Sequence, residues 1–86
     1  MNTDNYTAAY WNAHTDPSNP DRWYDLFDEA RSLGWAYREA GDEDEAVRWF
    51  DTMRMADFHR RLAADGISPL SDEGRARVAR RMAQVA

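Results

Sequence analysis

The apolar positions along this chain recur with a helical period in four segments, which are separated by breaks that contain proline or glycine. No stretch alternates apolar and polar residues in the manner of a half-buried strand. The pattern therefore predicts an all-α fold with helices over about residues 4–13, 20–40, 43–65 and 72–85. Because a short turn joins the two long helices, we expect an antiparallel helical hairpin flanked by a short N-terminal helix and a C-terminal helix.

The second segment carries the clearest helix signals. Asn19 is a favourable N-cap, Pro20 suits the first helical position, and Gly41 is typical of a left-handed C-cap. Its apolar side chains fall within about 120° of the helical wheel, so they predict the core face of this helix. These residues are Trp23, Leu26, Phe27, Ala30, Leu33, Gly34 and Tyr37.

The third segment begins after Asp42, which caps it together with Glu45 three residues later, and it ends before Gly66. Its apolar residues change direction midway, so we expect the helix to contact different elements along its length. The first face comprises Ala46, Trp49, Phe50 and Met53, and the second comprises Met55, Phe58 and Leu62. We expect more exposed apolar area on the last two helices than a small monomer can cover, which predicts a homodimer through these helices. The side chains concerned are Met55, Phe58, Leu62 and Met82.

The turn between the two long segments has the spacing of a known repeat. The matching positions are Leu33, Gly34, Tyr37, Ala46 and Phe50. They resemble a tetratricopeptide repeat over about 34 residues, one repeat length. Ala30 and Phe58 depart from that pattern, since the family often has Trp and Pro there. A helical hairpin that merely shares this packing solution is the alternative.

The resemblance implies a binding face on the first helix of the hairpin, since repeats of this family bind extended peptides there. Its outward positions in this chain are Asp28, Arg31, Trp35, Arg38 and Glu39. The helical wheel independently places Tyr24 beside Arg31 and Trp35, and aromatic residues with arginine are typical of interfaces. We therefore predict a protein–protein interaction module that binds a partner peptide or helix. The alternative is that the first segment, with Tyr6 and Tyr10, folds back over this surface.

Charge adds a second hypothesis. The chain has 86 residues, read as one domain, and a net charge of −5 from 16 acidic residues and 11 arginines, with no lysine. Residues 1–57 carry 13 acids and 5 arginines, a net charge of −8. This surface, with the exposed run Asp42, Glu43, Asp44 and Glu45, suits an acidic inhibitor of the anti-CRISPR or anti-restriction kind that blocks a basic nucleic-acid-binding site.

The arginine-rich C-terminal stretch is the one place where a nucleic acid would be attracted. Residues 58–86 carry 3 acids and 6 arginines, a net charge of +3. A solvated helix face explains this stretch, and the acidic remainder repels phosphate backbones. Nucleic-acid binding is therefore not expected.

Catalytic chemistry finds little support in the sequence. His14 and His59 lack metal-ligand spacing, and no glycine-rich phosphate loop is present. Without lysine and cysteine, Schiff-base and thiolate chemistry are excluded. We predict no enzyme, no cofactor and no metal. The absence of a long apolar run and of a leader pattern predicts a cytoplasmic protein without a membrane anchor.

Overall fold

Four α-helices are present in the computed structural model, which describes residues 2–85 and, of Val85, only the backbone. They are α1 (Asp4–Thr15), α2 (Pro20–Glu39), α3 (Glu43–Ala64) and α4 (Asp72–Val85). The predicted all-α fold is confirmed. Helices α2 and α3 pack as a hairpin, α1 lies against α2, and α4 makes a weak contact with α3.

The predicted N-caps of the long helices are formed. The Asn19 side chain accepts a hydrogen bond from the Asp21 N–H at 3.0 Å, and the Asp42 side chain accepts one from the Glu45 N–H at 3.2 Å. Each bond satisfies one of the N–H groups that a helix start leaves without a backbone partner. Helix α1 has no such cap, because the Thr3 side chain makes no capping hydrogen bond there.

Both long helices end in the same type of left-handed turn. Gly41 and Gly66 have φ angles of 83° and 79°, which favour glycine because it lacks a Cβ. After Gly41, the Asp42 N–H donates to the Tyr37 carbonyl at 2.9 Å, and after Gly66 the Ile67 N–H donates to Leu62 at 2.9 Å. These hydrogen bonds define a Schellman motif at each helix end, which reverses the direction of the chain.

The hairpin core follows the predicted stripe of α2. Its fully buried members are Trp23, Leu26, Ala30, Leu33 and Gly34. Gly34 lies directly against the Phe50 ring, and a Cβ there would come within 2.7 Å of the ring. The aromatic ring of Phe50 thus uses the space that the missing side chain of Gly34 leaves.

Helix α1 is attached through small residues and one indole. Ala9 and Ala13 are buried in a cluster with Trp23 and Leu26 of α2 and two alanines of α3. The Trp23 Nε1–H donates to the Pro17 carbonyl at 2.9 Å, so the indole also holds the α1–α2 connection. Close approach of α1 depends on the small alanine side chains, because larger groups would push the helix away.

Helix α4 is placed by the connection that precedes it. The Ser71 Oγ accepts a hydrogen bond from the Gly74 N–H at 3.1 Å, which caps the start of the helix. Gly74 is buried against the backbone of Ser68 and Pro69, where a Cβ would lie 2.7 Å from the Pro69 Cα. The start of α4 therefore sits on the 68–69 backbone, and the helix extends from there along α3.

Candidate interaction surface

The predicted binding residues share one side of α2, and one of them, Asp28, also lines the hollow between α2 and α1. We call them the aromatic–arginine patch: Tyr24, Asp28, Arg31, Trp35, Arg38 and Glu39. Tyr24 is 50% exposed and Trp35 is 51% exposed, although both are large and apolar. Their exposure is informative because a small fold gains most by burying such rings.

At the C-terminal end of the patch, Trp35 and Arg38 surround the edge of Phe50. The Trp35 ring meets Phe50 edge-on with 5.5 Å between ring centroids. The Arg38 guanidinium lies 5.3 Å from the Trp35 centroid and 4.8 Å from the Phe50 centroid. These contacts hold the indole in one orientation while half of it faces solvent.

Arg38 is itself held by the start of α3. It donates two hydrogen bonds to the Glu43 carboxylate, at 2.7 and 3.2 Å. This bidentate contact raises the pKa of Arg38 and lowers the pKa of Glu43, and the hydrogen bond is the larger cause in both cases. The guanidinium therefore stays charged and oriented beside Trp35.

At the N-terminal end of the patch, the contacts centre on Phe27. The Tyr24 and Phe27 rings have centroids 5.8 Å apart, and the Arg31 guanidinium lies 5.7 Å from the Phe27 centroid. Arg31 also pairs with Asp28 at 2.6 Å. Sequence reasoning assigned Phe27 and Phe50 to the core alone. Their position at the edge of the α2 stripe was the available signal that they also support the patch.

Helix α1 does not cover this surface. Tyr6 packs edge-on against Trp49 with centroids 4.7 Å apart, and Tyr10 stacks on His14 at 4.0 Å. The shallow hollow between α1 and α2 is lined from α2 by Asp25, Asp28 and Glu29. The interpretation in which Tyr6 and Tyr10 fold over Tyr24 and Trp35 is therefore wrong.

The acidic run at the start of α3 is largely engaged in local contacts. Asp42 caps the helix, Glu43 pairs with Arg38, and Glu45 pairs with Arg48 at 3.3 Å. Asp44 is exposed. Negative charge in a first helical turn also interacts favourably with the helix dipole, so structural roles account for most of this run.

The apolar face predicted for self-association is smaller than the sequence suggested. Leu62 is only 4% exposed, and including it in an exposed face was wrong, because the turn at Gly66 brings the chain back towards the end of α3. Met55 and Phe58 are half-buried, and Met82 is 55% exposed. Self-association stays a prediction, which a monomeric mass by light scattering at micromolar concentration would contradict.

His59 is a polar side chain that the helices partly enclose. Its ring meets Trp23 edge-on with centroids 4.6 Å apart, and its Nδ1 is buried without a hydrogen-bond partner in the described residues. Burial lowers the pKa of His59 from 6.5 to about 4, and the charge of neighbouring His14 adds to the decrease. Residues 2–85 contain no cluster of three His, Asp or Glu side chains that could hold a metal ion.

This burial predicts a pH-dependent stability. The unfolded chain protonates His59 near pH 6.5 and the folded chain only near pH 4, so the folded state loses stability as the pH falls through that interval. We expect a loss of at most ~3 kcal/mol, reduced by the partial solvent contact of the ring. Urea titrations at several pH values would measure it. The matched variant His59→Phe should have a flatter profile, and parallel profiles for the two proteins would contradict the prediction.

Comparisons with known proteins add no relative. No family model, no curated protein and no solved structure matches this chain. The resemblance to a tetratricopeptide repeat therefore stays a prediction that rests on residue spacing. Among residues 2–85, no helix has both the length and the apolar character that crossing a bilayer requires.

Proposed function

We propose that this chain is a small protein–protein interaction module, an adaptor or regulator, that binds a peptide or helix of a partner protein through the aromatic–arginine patch. The observation that carries the proposal is the half-exposure of Tyr24 and Trp35 on one side of α2. Arg38, held by Glu43, lies over Trp35. Arg31, held by Asp28, lies over the Phe27 ring that Tyr24 contacts.

The composition of the patch favours binding to protein. Tyrosine, tryptophan and arginine are enriched among the residues that contribute most to interface affinity. Each presents a large contact area, and arginine adds directional hydrogen bonds to carbonyl or carboxylate groups of a partner.

The patch is also ordered before any partner arrives. Trp35 rests on Phe50 and Arg38, and Arg38 is fixed by Glu43. Immobilising a flexible side chain on binding costs about 0.5–1.5 kcal/mol, and part of that cost has already been met in this fold. Such preorganisation supports a recognition role over that of a merely solvated helix face.

The competing proposal of an acidic inhibitor predicts a different dependence on salt. Binding through the run from Asp42 to Glu45 would weaken steeply as ionic strength rises, since exposed charges are screened beyond about 8–10 Å at physiological salt. The affinity of binding through Tyr24 and Trp35 would change little as ionic strength rises. The local partners of Asp42, Glu43 and Glu45 favour the patch as the primary surface.

The decisive substitution is Trp35→Ala. We expect the partner captured from the source cell to be lost or bound at least about tenfold more weakly, because hot-spot aromatics contribute about 2 kcal/mol or more. The free energy of unfolding should change by no more than about 1 kcal/mol, since half of the ring is already in solvent. Affinity capture at low and high salt, together with urea denaturation, measures both quantities.

The matched control is Trp11→Ala on α1, which removes another tryptophan that is 61% exposed. It should leave partner capture unchanged. Equal loss of the partner with both variants, or a large loss of stability with Trp35→Ala and no loss of partner, would overturn the proposed function.

A further inference from the structure

A second surface lies on the side of α3 that faces α4. Two adjoining hollows share Phe58 and Arg81, and we call them together the arginine groove. The first, of about 180 Å³, has an apolar floor formed by Phe27, Met53 and Phe58. Sites for drug-sized ligands measure about 300–1,000 Å³, so this hollow has room for a single anchoring side chain.

The rim of the groove is strongly basic. Its arginines are Arg54, Arg61, Arg77, Arg80 and Arg81. The groove thus gathers five of the chain's 11 arginines but only one of its 16 acidic residues, Asp57. In a chain with a net charge of −5, this concentration of positive charge creates a local field opposite to that of the whole molecule.

In the described part of the chain, local ion pairs engage three of the five rim arginines and leave two unpaired. The pairs are Arg54 with Asp51 at 2.8 Å, Arg61 with Asp57 at 2.8 Å and Arg77 with Glu73 at 3.1 Å, and all three guanidinium groups are exposed to solvent. Among residues 2–85, Arg80 and Arg81 contact no carboxylate within ion-pair distance. A guanidinium has five N–H donors, so even a paired arginine keeps donors free for a ligand.

The fold sets the position of α4 along the groove. Gly74 seats the start of α4 on the backbone of Ser68 and Pro69, which sets where the helix begins. Farther along α4, the Arg81 guanidinium lies 5.6 Å from the Phe58 centroid, so the basic rim stands directly over the apolar floor. A cation above a half-buried ring suits a ligand that brings both an apolar group and a carboxylate.

We propose that the arginine groove binds an acidic peptide segment of a partner protein, whose single apolar or aromatic side chain enters the hollow at Phe58 while flanking carboxylates pair with the rim arginines. Charge complementarity and the small apolar floor carry the proposal. A nucleic acid fits less well, because the acidic body repels a long phosphate backbone and a phosphate chain has no apolar anchor. This surface does not depend on the aromatic–arginine patch, although Phe27 lies between the two.

A selection from a phage-displayed library of random peptides, about twelve residues long, tests the proposal on the full chain without assuming a ligand. We expect the selected peptides to combine Asp or Glu residues with one central apolar residue. Their affinity, measured with fluorescein-labelled synthetic copies, should fall at least about tenfold for Arg81→Gln and should weaken as salt rises. Amide shifts in ¹⁵N spectra should map to α3 and α4.

Matched variants separate this surface from the patch. Arg75→Gln changes the same residue type on the same helix outside the groove, and it should leave affinity within about twofold. Arg54→Gln removes a rim charge from α3 and should weaken binding even if Arg81→Gln disturbs the packing of α4. Peptides that lose binding only with Trp35→Ala would overturn the groove proposal and support the patch. Peptides that lose binding only with the groove variants would support the groove proposal.

Three further results would overturn the groove proposal. They are the selection of no peptides or of neutral or basic ones, tighter binding of a twelve-nucleotide single-stranded DNA than of the best acidic peptide, and a dimeric mass by light scattering that becomes monomeric with Arg81→Gln. The second result would identify a nucleic-acid surface, and the third would show that a second copy of the chain occupies the groove.

Discussion

Replacing Trp23 with alanine should destabilise this protein more than any other single truncation. The indole is 1% exposed and lies where α1, α2 and α3 meet. Its Nε1–H donates a hydrogen bond to the Pro17 carbonyl at 2.9 Å. Truncation of a buried Trp or Phe costs about 3–5 kcal/mol. A chain of this length has a total stability of only about 4–13 kcal/mol, so Trp23→Ala should be partly unfolded at physiological temperature.

Urea denaturation followed by circular dichroism would measure the loss. Trp23→Phe keeps a ring but removes the donor to Pro17, and we expect it to cost about 1–2 kcal/mol. Trp11→Ala, at an exposed site, should cost less than about 0.5 kcal/mol. A loss below about 1 kcal/mol for Trp23→Ala would show that the three helices do not depend on the indole.

The second large effect is expected at the crossing of α2 and α3. A Cβ on Gly34 would lie 2.7, 2.8 and 3.0 Å from three carbons of the Phe50 ring. Overpacking of this kind costs about 1–3 kcal/mol, while alanine gains about 1 kcal/mol over glycine in helix propensity. We expect Gly34→Ala to be net destabilising by up to about 2 kcal/mol.

Removing the ring should reverse the sign of that effect. In the background of Phe50→Ala, the added methyl meets no ring, so Gly34→Ala should stabilise the protein by about 1 kcal/mol. The four proteins form a double-mutant cycle, and urea titrations in sucrose would keep the weaker variants folded. An equal effect of Gly34→Ala in both backgrounds would show that the Phe50 contact does not decide the choice of glycine.

The elements of the fold could be predicted because their signals are local. Asn19 and Asp42 cap helices through their own neighbouring N–H groups, and Gly41 and Gly66 end them by adopting a backbone conformation that other residues avoid. The stripe on α2 repeats with the helical period, so its burial also follows from spacing alone. Of the second face predicted on α3, Leu62 is buried, whereas Met55 and Phe58 are half-buried.

The partners of each face could not be predicted in the same way. Periodicity shows that a side of a helix is apolar, but not which helix covers it. The burial of Leu62 depends on the turn after α3, and the exposure of Tyr24 and Trp35 depends on α1 packing against a different part of α2. Phe27 was assigned to the core, and only its neighbours show that it also supports Tyr24 and Arg31.

Spacing and residue type alone thus account for the four helices, their ends and the apolar stripe of the hairpin, because these properties depend on contacts within a few residues. They also place Tyr24, Arg31 and Trp35 on one side of α2, whereas Asp28, Arg38 and Glu39 were added by the resemblance to a repeat. Tertiary packing decided that the Phe50 ring occupies the space above Gly34, that the patch remains uncovered, and that arginines from α3 and α4 converge over Phe58. These outcomes depend on how the faces of separate helices fit together, and that fit is a property of the whole folded chain.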